Sequence, residues 1–474
     1  MKLQGWGWLM LGLIQASARS APALGPSTQP ASSDTTLPNQ AILAPTNEEA
    51  NGPEQLWNFH VQNTDIVQGD PAFSAKYSGP NSLSAGGAVD ETVSLDLYGG
   101  LRLWQGAEAH VDALMWHGYG LSNTLGIEDF PNNEAFKAGA RIVDFSFARL
   151  FVRQTFGLGG DQEDVSDDQL TLAGKQDVSR LTFTIGRFSP TDIFDTNAYA
   201  NDARTQFMGW ALVTDPAWDY PADAIGYTTG ISAELNQPNW TLRYGFFQMP
   251  SVSNSFTEDD RYLTYPTPSP VGGGDFWKSW GMVTELERRY SIATHPGAIR
   301  LMAWLNEADM GSYGEALLVP GVNIALTRAY RFKYGFGLNW EQEIMPNVGV
   351  FSRVGWNDGH EEAWTYNDVN CSASVGLSIK GEAWKRPDDT WGLAGVFSGI
   401  SHDNQEFLEA GGTGILDGDG ALNYGWEKVV ETYYDFKVWQ TLHFALDYQF
   451  VDNPAFNRDR GPVSIFGVRV HWQF

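Results

Sequence analysis

The twelve residues that end the chain, Val463 to Phe474, constrain the fold more than any other stretch. Every second residue counted back from the end is apolar: Phe474, Trp472, Val470, Val468 and Phe466. The residues between them, Gln473, His471, Arg469, Gly467 and Ile465, are mostly polar. Alternation with period two is a β-strand with two chemically different faces. A soluble sandwich turns the polar face to water and the apolar face to a core. An outer-membrane barrel turns the apolar face to lipid and the polar face to a wet lumen. Three details favour the barrel. The strand ends on the carboxyl-terminal residue itself, with an aromatic. Aromatics stand at both ends of the apolar face. Arg469 and His471 point away from it. A soluble edge strand shares the pattern, so the rest of the chain decides.

That chain has 474 residues, one Cys and a net charge of −27. One Cys excludes a disulfide framework and a Cys-based metal site. The charge suggests disorder, but 14% of the residues are aromatic, and disordered acidic chains lack aromatics. No apolar run is long enough for a transmembrane helix, which says nothing against a barrel.

Residues 1–18 read as a signal peptide. Lys2 supplies the positive end, Trp6 to Ile14 a short apolar run, and Ala16-Ser17-Ala18 a small-residue cleavage site. Residues 19–55 are rich in Pro, Ser and Thr and read as a flexible leader. Residues 56–474 read as the barrel domain. Sixteen candidate strands fall at 57–68, 91–105, 107–118, 141–156, 180–188, 224–235, 239–249, 276–290, 297–307, 329–342, 347–357, 370–382, 391–402, 424–438, 441–451 and 462–474. In the tenth, Phe332, Tyr334, Phe336, Leu338 and Trp340 oppose Arg331, Lys333, Gly335, Gly337, Asn339 and Glu341. Tight turns such as Gln237-Pro238 and Met345-Pro346 alternate with long connections such as 189–223, 250–275, 308–328 and 403–423. The expected fold is therefore all-β: a transmembrane antiparallel barrel of about sixteen strands, with short periplasmic turns and long extracellular loops. One connection breaks the alternation. The acidic stretch 157–179 stands where a short turn belongs; it is a periplasmic excursion or a sign of a miscounted strand.

The faces assigned to the lumen carry Arg102, Arg149, Arg153, Arg243, Arg300, Arg331, Arg353 and Arg469, with carboxylates including Asp96, Glu108, Asp112, Glu341, Asp435 and Asp447. Arg forks and carboxylates hydrogen-bond sugar hydroxyls well. They also simply pair with each other along a wall. Trp210, Trp218 and Tyr220, in the connection after the fifth strand, either stack on a sugar or pack a folded-in loop. Asp417-Gly418-Asp419-Gly420 offers calcium-type oxygens but lacks the full twelve-residue pattern, so it reads as a turn. No catalytic motif and no phosphate loop is found, and basic residues are not clustered, which disfavours nucleic acid. No cofactor and no metal is expected.

Several stretches resemble the carbohydrate-selective porin family, the OprB type. The strongest runs from Gly186-Arg187-Phe188-Ser189-Pro190-Thr191-Asp192-Ile193-Phe194-Asp195-Thr196-Asn197 through Asp202 and Arg204 to Trp210-Ala211-Leu212. Others are Tyr77-Ser78-Gly79-Pro80-Asn81-Ser82-Leu83, Arg353-Val354-Gly355-Trp356-Asn357-Asp358-Gly359 and Asp459-Arg460-Gly461-Pro462-Val463. The resemblance covers about 56–474. It implies a sixteen-stranded barrel in a Gram-negative-type outer membrane, passing mono- and oligosaccharides by passive, partly selective diffusion without chemistry. It implies a long connection that folds inward to narrow the lumen. Arg187, Asp192, Asp195, Asn197, Asp202 and Arg204 are expected there as eyelet or loop-anchoring residues, with Arg149, Arg153, Asp96 and Arg102 on the solute path. Expected partners are carbohydrate solutes, outer-membrane lipid and the barrel-assembly machinery acting on Phe474; the oligomeric state stays open. The rivals are a general or anion-selective porin, since inward Args outnumber the carboxylates, an outer-membrane enzyme, and a secreted sugar-binding β protein.

Overall fold

The computed structural model describes residues 54–135, 139–250, 253 and 278–474, with only the backbone of 140 and 141. The expected signal peptide, most of the leader and nearly all of the 250–275 connection lie outside the described residues. Alternating sequence gives strands throughout: β1 (Trp57–Asp70), β2 (Ala88–Trp104), β3 (Ala107–Gly118), β4 (Ala140–Gly157), β5 (Gln162–Val165), β6 (Gly174–Asp177), β7 (Arg180–Phe188), β8 (Thr228–Gln237) and β9 (Trp240–Gln248). The second half adds β10 (Trp280–Ile292), β11 (His295–Met310), β12 (Ala329–Met345), β13 (Val348–Asn357), β14 (Cys371–Gly381), β15 (Arg386–Gly399), β16 (Glu427–Trp439), β17 (Leu442–Asp452) and β18 (Val463–Gln473).

Sixteen of these close into one antiparallel barrel in chain order, with β18 against β1 and β4 against β7. Closure pairs Gln62 with Gln473 and Val67 with Val468, so the barrel itself has no open edge. The remaining two strands, β5 and β6, form a hairpin of their own inside the 157–179 stretch. The count of sixteen is unaffected; the acidic stretch is an excursion between neighbouring barrel strands.

The barrel is inside-out relative to a soluble protein. On β12, Phe332, Tyr334 and Phe336 are exposed outward, while Lys333 and Asn339 are buried in the lumen. On β18, Phe466 points out at 58% exposure, whereas Arg469 and His471 are almost wholly buried. An apolar outer wall around a polar interior suits hydrocarbon outside. The apolar core lies within the lumen and is built largely from connections, with Phe194, Phe207, Trp210 and Trp218 packed against wall residues such as Phe351 and Tyr433.

Strand ends shift by up to five residues from expectation, and two of the shifts have a visible cause. The sixth strand starts at Thr228, not 224, because Asp223 Oδ1 accepts from the Ile225 and Tyr227 amides (3.1 and 3.2 Å) and holds 224–227 as a turn. The thirteenth starts at Arg386, taking Pro387 into the beginning of a strand, where its missing N–H does little harm.

Candidate functional site

The connection between β7 and β8 runs inward and is gripped by the far wall. Arg353 on β13 donates from Nε to Asp195 Oδ1 (3.0 Å), from Nη1 to the Leu212 carbonyl (2.7 Å) and from Nη2 to the Ala200 carbonyl (2.8 Å). Two residues on, Gly355 leaves room for Asp215; a Cβ there would lie 1.9 Å from Asp215 Oδ1. Two further, Asn357 Nδ2 donates to the Ala217 carbonyl (2.9 Å). Arg353, Gly355 and Asn357 share one strand face, so strand periodicity itself makes the clamp. On β12, Asn339 Nδ2 donates to Asp195 Oδ1 (2.6 Å) and Asn339 Oδ1 accepts from Asn197 Nδ2 (2.8 Å). Glu431 on β16 accepts from the Met208 and Gly209 amides (2.5 and 2.9 Å). Burial pushes the Asp215 carboxyl up to about 7, helped by the nearby Asp195 charge.

Held this way, the connection faces the wall of β1, β2 and β4 across a cavity of about 330 Å³. Part of the lining is ionic. Arg149 on β4 makes a two-pronged contact with Asp192 (2.8 and 2.7 Å) and a third bond to Asp112 (2.7 Å). Arg204 lies 3.0 Å from Glu134 and 3.4 Å from Asp96. Burial opposes the Arg204 charge, but Asp96 and Glu134 more than offset it and hold the guanidinium protonated. Part of the lining is aromatic. Trp210 stacks on Phe130 (4.9 Å between ring centres) and on Tyr220 (5.8 Å), with Tyr366 4.8 Å away. Tyr227 lies under the Arg149 guanidinium at 5.0 Å. The floor is supplied by the 157–179 stretch. Gln169 Nε2 donates to Gln62 Oε1 (2.7 Å), and Gln169 and Leu170 both line the cavity.

The expected residues therefore separate by position. Arg149, Asp192, Asp202 and Arg204 line the cavity, and Asp96 stands directly behind Arg204. Arg187 lies behind Tyr227 and ion-pairs with Asp223. Asp195 and Asn197 anchor the connection to the far wall and do not reach the cavity. Arg153 and Arg102 also lie off it. They hold its floor: Arg153 Nη1 donates to the Leu170 carbonyl (2.9 Å), and Arg102 Nη2 to the Ala173 carbonyl (3.3 Å). Of the loop aromatics, Trp210 and Tyr220 line the cavity, whereas Trp218 packs against Phe194 and Tyr220. Sequence reading missed Glu134, Gln62 and Gln169. Glu134 sits in a connection without a motif; Gln62 and Gln169 are neutral amides of a kind found everywhere.

The charge balance at the cavity differs from that of the strand faces as a whole. Arg149 and Arg204 face Asp96, Asp112, Glu134, Asp192 and Asp202, so carboxylates outnumber guanidiniums at the cavity. The difference comes from the inward connections, which carry Glu134, Asp192 and Asp202.

A family model described as "Carbohydrate-selective porin, OprB family" matches residues 80–474. A comparison with curated proteins finds no match. Among solved structures, the high-pH structure of OprB from Pseudomonas putida has a TM-score of 0.64 at 16% identity, covering 88% of this chain and 94% of that one. Its low-pH structure gives 0.47 at 13% identity, with 88% and 93% covered. OccK2 (OpdF) of Pseudomonas aeruginosa gives 0.45 at 9% identity, with 89% and 99% covered. With the family match spanning most of the chain and the barrel closed at sixteen strands, the chain belongs to the carbohydrate-selective porins of the OprB family and is an outer-membrane carbohydrate porin.

Proposed function

We propose that the cavity between Arg149, Arg204 and the Trp210 ring group is the eyelet through which sugars pass by diffusion, without covalent chemistry. The observation that carries this is that charged groups and aromatic rings together line one cavity of about 330 Å³. A sugar has hydroxyl edges and apolar C–H faces. Charge-assisted hydrogen bonds suit the first and aromatic rings the second. The volume is at the low end of the roughly 300–1,000 Å³ of small-molecule sites, which favours mono- and disaccharides over longer chains. An excess of carboxylates makes an anion-selective pore the weaker rival.

In this reading the short-turn end faces the periplasm and the long connections face outward. Residues 1–18 are removed as a signal and 19–55 form a leader. Lipid covers the apolar wall, and the assembly machinery engages the strand that ends at Phe474. The test is single-channel conductance in a planar bilayer with glucose, maltose and a longer oligosaccharide titrated in. Open steps blocked by glucose and maltose at sugar-dependent concentrations support the eyelet. Steps indifferent to every sugar overturn it.

A further inference from the structure

Outside the eyelet, three carboxylates from three different connections converge. Glu128 lies between β3 and β4, Asp368 between β13 and β14, and Asp417 between β15 and β16. One oxygen of each falls within 4.8 Å of the others. All three side chains are buried, at 0%, 1% and 0% exposure.

The hydrogen bonding around them is incomplete in a directed way. Asp368 is satisfied, accepting from Tyr313 Oη (2.9 Å) and the Ile415 amide (2.8 Å). Glu128 Oε2 accepts from the Asp368 amide (2.7 Å). Glu128 Oε1 and both Asp417 oxygens are buried with no partner. Asp419, only two residues from Asp417, makes the contrast: Arg460 lies 3.3 Å from it, and Asn457 Nδ2 donates to it (3.0 Å). The ammonium of Lys333 is engaged by Asp219 at 3.4 Å. A buried carboxylate without donor or cation is too costly to keep ionised. Something must neutralise this group.

We infer that Glu128, Asp368 and Asp417 form a site for a hard divalent cation of the calcium type, which staples the three connections together. Calcium takes oxygen ligands at about 2.3–2.6 Å, so oxygens bound to one ion stand no more than about 5 Å apart. The three oxygens fall within that limit, so one ion can reach all of them. Burial first, and then the neighbouring carboxylates, raise Glu128 and Asp417 above the usual carboxylate range. A divalent charge relieves both. The site also bears on the eyelet. Phe130 follows Glu128 by two residues and Tyr366 precedes Asp368 by two, and both rings pack against Trp210. The cation thus fixes the aromatic wall from behind.

The test uses the full folded chain in lipopolysaccharide-free detergent, stripped with a chelator and titrated with terbium(III). The ring of Tyr313, bonded to Asp368, is placed to sensitise its luminescence. The expected result is a saturable phase that calcium displaces, and a heat-unfolding temperature that falls on chelation and returns with calcium. Both effects disappear in Asp417→Asn and persist in Asp452→Asn, which removes a carboxylate elsewhere. Glu128→Gln serves if Asp417→Asn does not fold. The inference is overturned if the wild type has no saturable phase, or if the site variants keep it unchanged; protons alone then neutralise the cluster.

Discussion

Arg353 Nε lies 3.0 Å from Asp195 Oδ1, although 158 residues separate the two in the chain. Both are buried, so this contact fixes the inward connection against the far wall. Removing one partner of a buried ion pair costs about 3–5 kcal/mol, because the other charge is left uncompensated. Arg353→Met is expected to lower the temperature at which the folded band is lost in electrophoresis. It is also expected to raise open-channel conductance, as the connection loosens into a wider lumen. Unchanged conductance would mean that Asn339 and Glu431 hold the connection unaided.

Arg204 meets the cavity directly, whereas Arg300 is tied to Glu287 (2.9 Å) and Glu341 (3.2 Å) away from it. A hydrogen bond to a charged group is worth about 1.5–3 kcal/mol, or roughly tenfold or more in affinity. Arg204→Ala is expected to weaken sugar block by about that factor, and Arg300→Ala to leave it nearly unchanged. Arg187→Ala should fall between them, since Arg187 acts through the ring of Tyr227. Sugar titration of single-channel current reads all three. Equal effects would move the eyelet away from Arg204.

The barrel was legible in the sequence because one chemistry repeats on every strand. Phe332 to Trp340 alternate with Lys333 to Glu341, and lipid and lumen demand that alternation whatever the loops do. The cavity lining was legible only in part. Asp192 and Arg204 stand in one long motif, but so do Asp195 and Asn197, which grip the far wall. Spacing along an irregular connection does not say which way a side chain turns. The floor was hidden for another reason. Gln169 reaches Gln62 only because a separate hairpin turns the chain back, and no periodicity signals a neutral amide pair.

That floor can be removed. Beyond the Gln169–Gln62 bond, Asn58 Nδ2 donates to Asp167 Oδ1 and to the Asp168 carbonyl (both 2.8 Å). Leu158 and Ser179 already approach each other, with a backbone bond of 2.9 Å, so a two-residue Asn-Gly turn can replace 159–178 and join β4 to β7 directly. The shortened chain is expected to fold, to conduct more, and to admit longer oligosaccharides in a liposome-swelling assay. An unchanged size limit would mean that the Arg204 side of the cavity sets it alone.

The barrel closes at Phe474, whose N–H donates to the Val61 carbonyl (2.8 Å) and whose carbonyl accepts from the Val61 amide (3.0 Å). Deleting Phe474 removes both bonds from the seam and the final aromatic from the outer face. Folded, surface-exposed protein is expected to fall sharply, with unfolded chain accumulating. Normal surface yield would refute a role for this ending in assembly.

Asp215 supplies a pH test. Its carboxyl, at about 7 in the folded chain against 3.8 for a free side chain, holds a proton that the unfolded chain has already lost. Folding therefore favours the protonated form. The stability this group gives is fully present below about pH 4 and is lost as pH rises through about 7. A separation of about three pKa units corresponds to roughly 4 kcal/mol at most. Asp215→Asn mimics the neutral form. It is expected to leave heat stability unchanged near pH 4 and to raise it near pH 8, with the difference growing between those values. Chain unfolding followed by electrophoretic mobility at both pH values reads this. A variant less stable than the wild type at pH 8 would show that Asp215 is held ionised, with the buried Arg353 as its counter-charge.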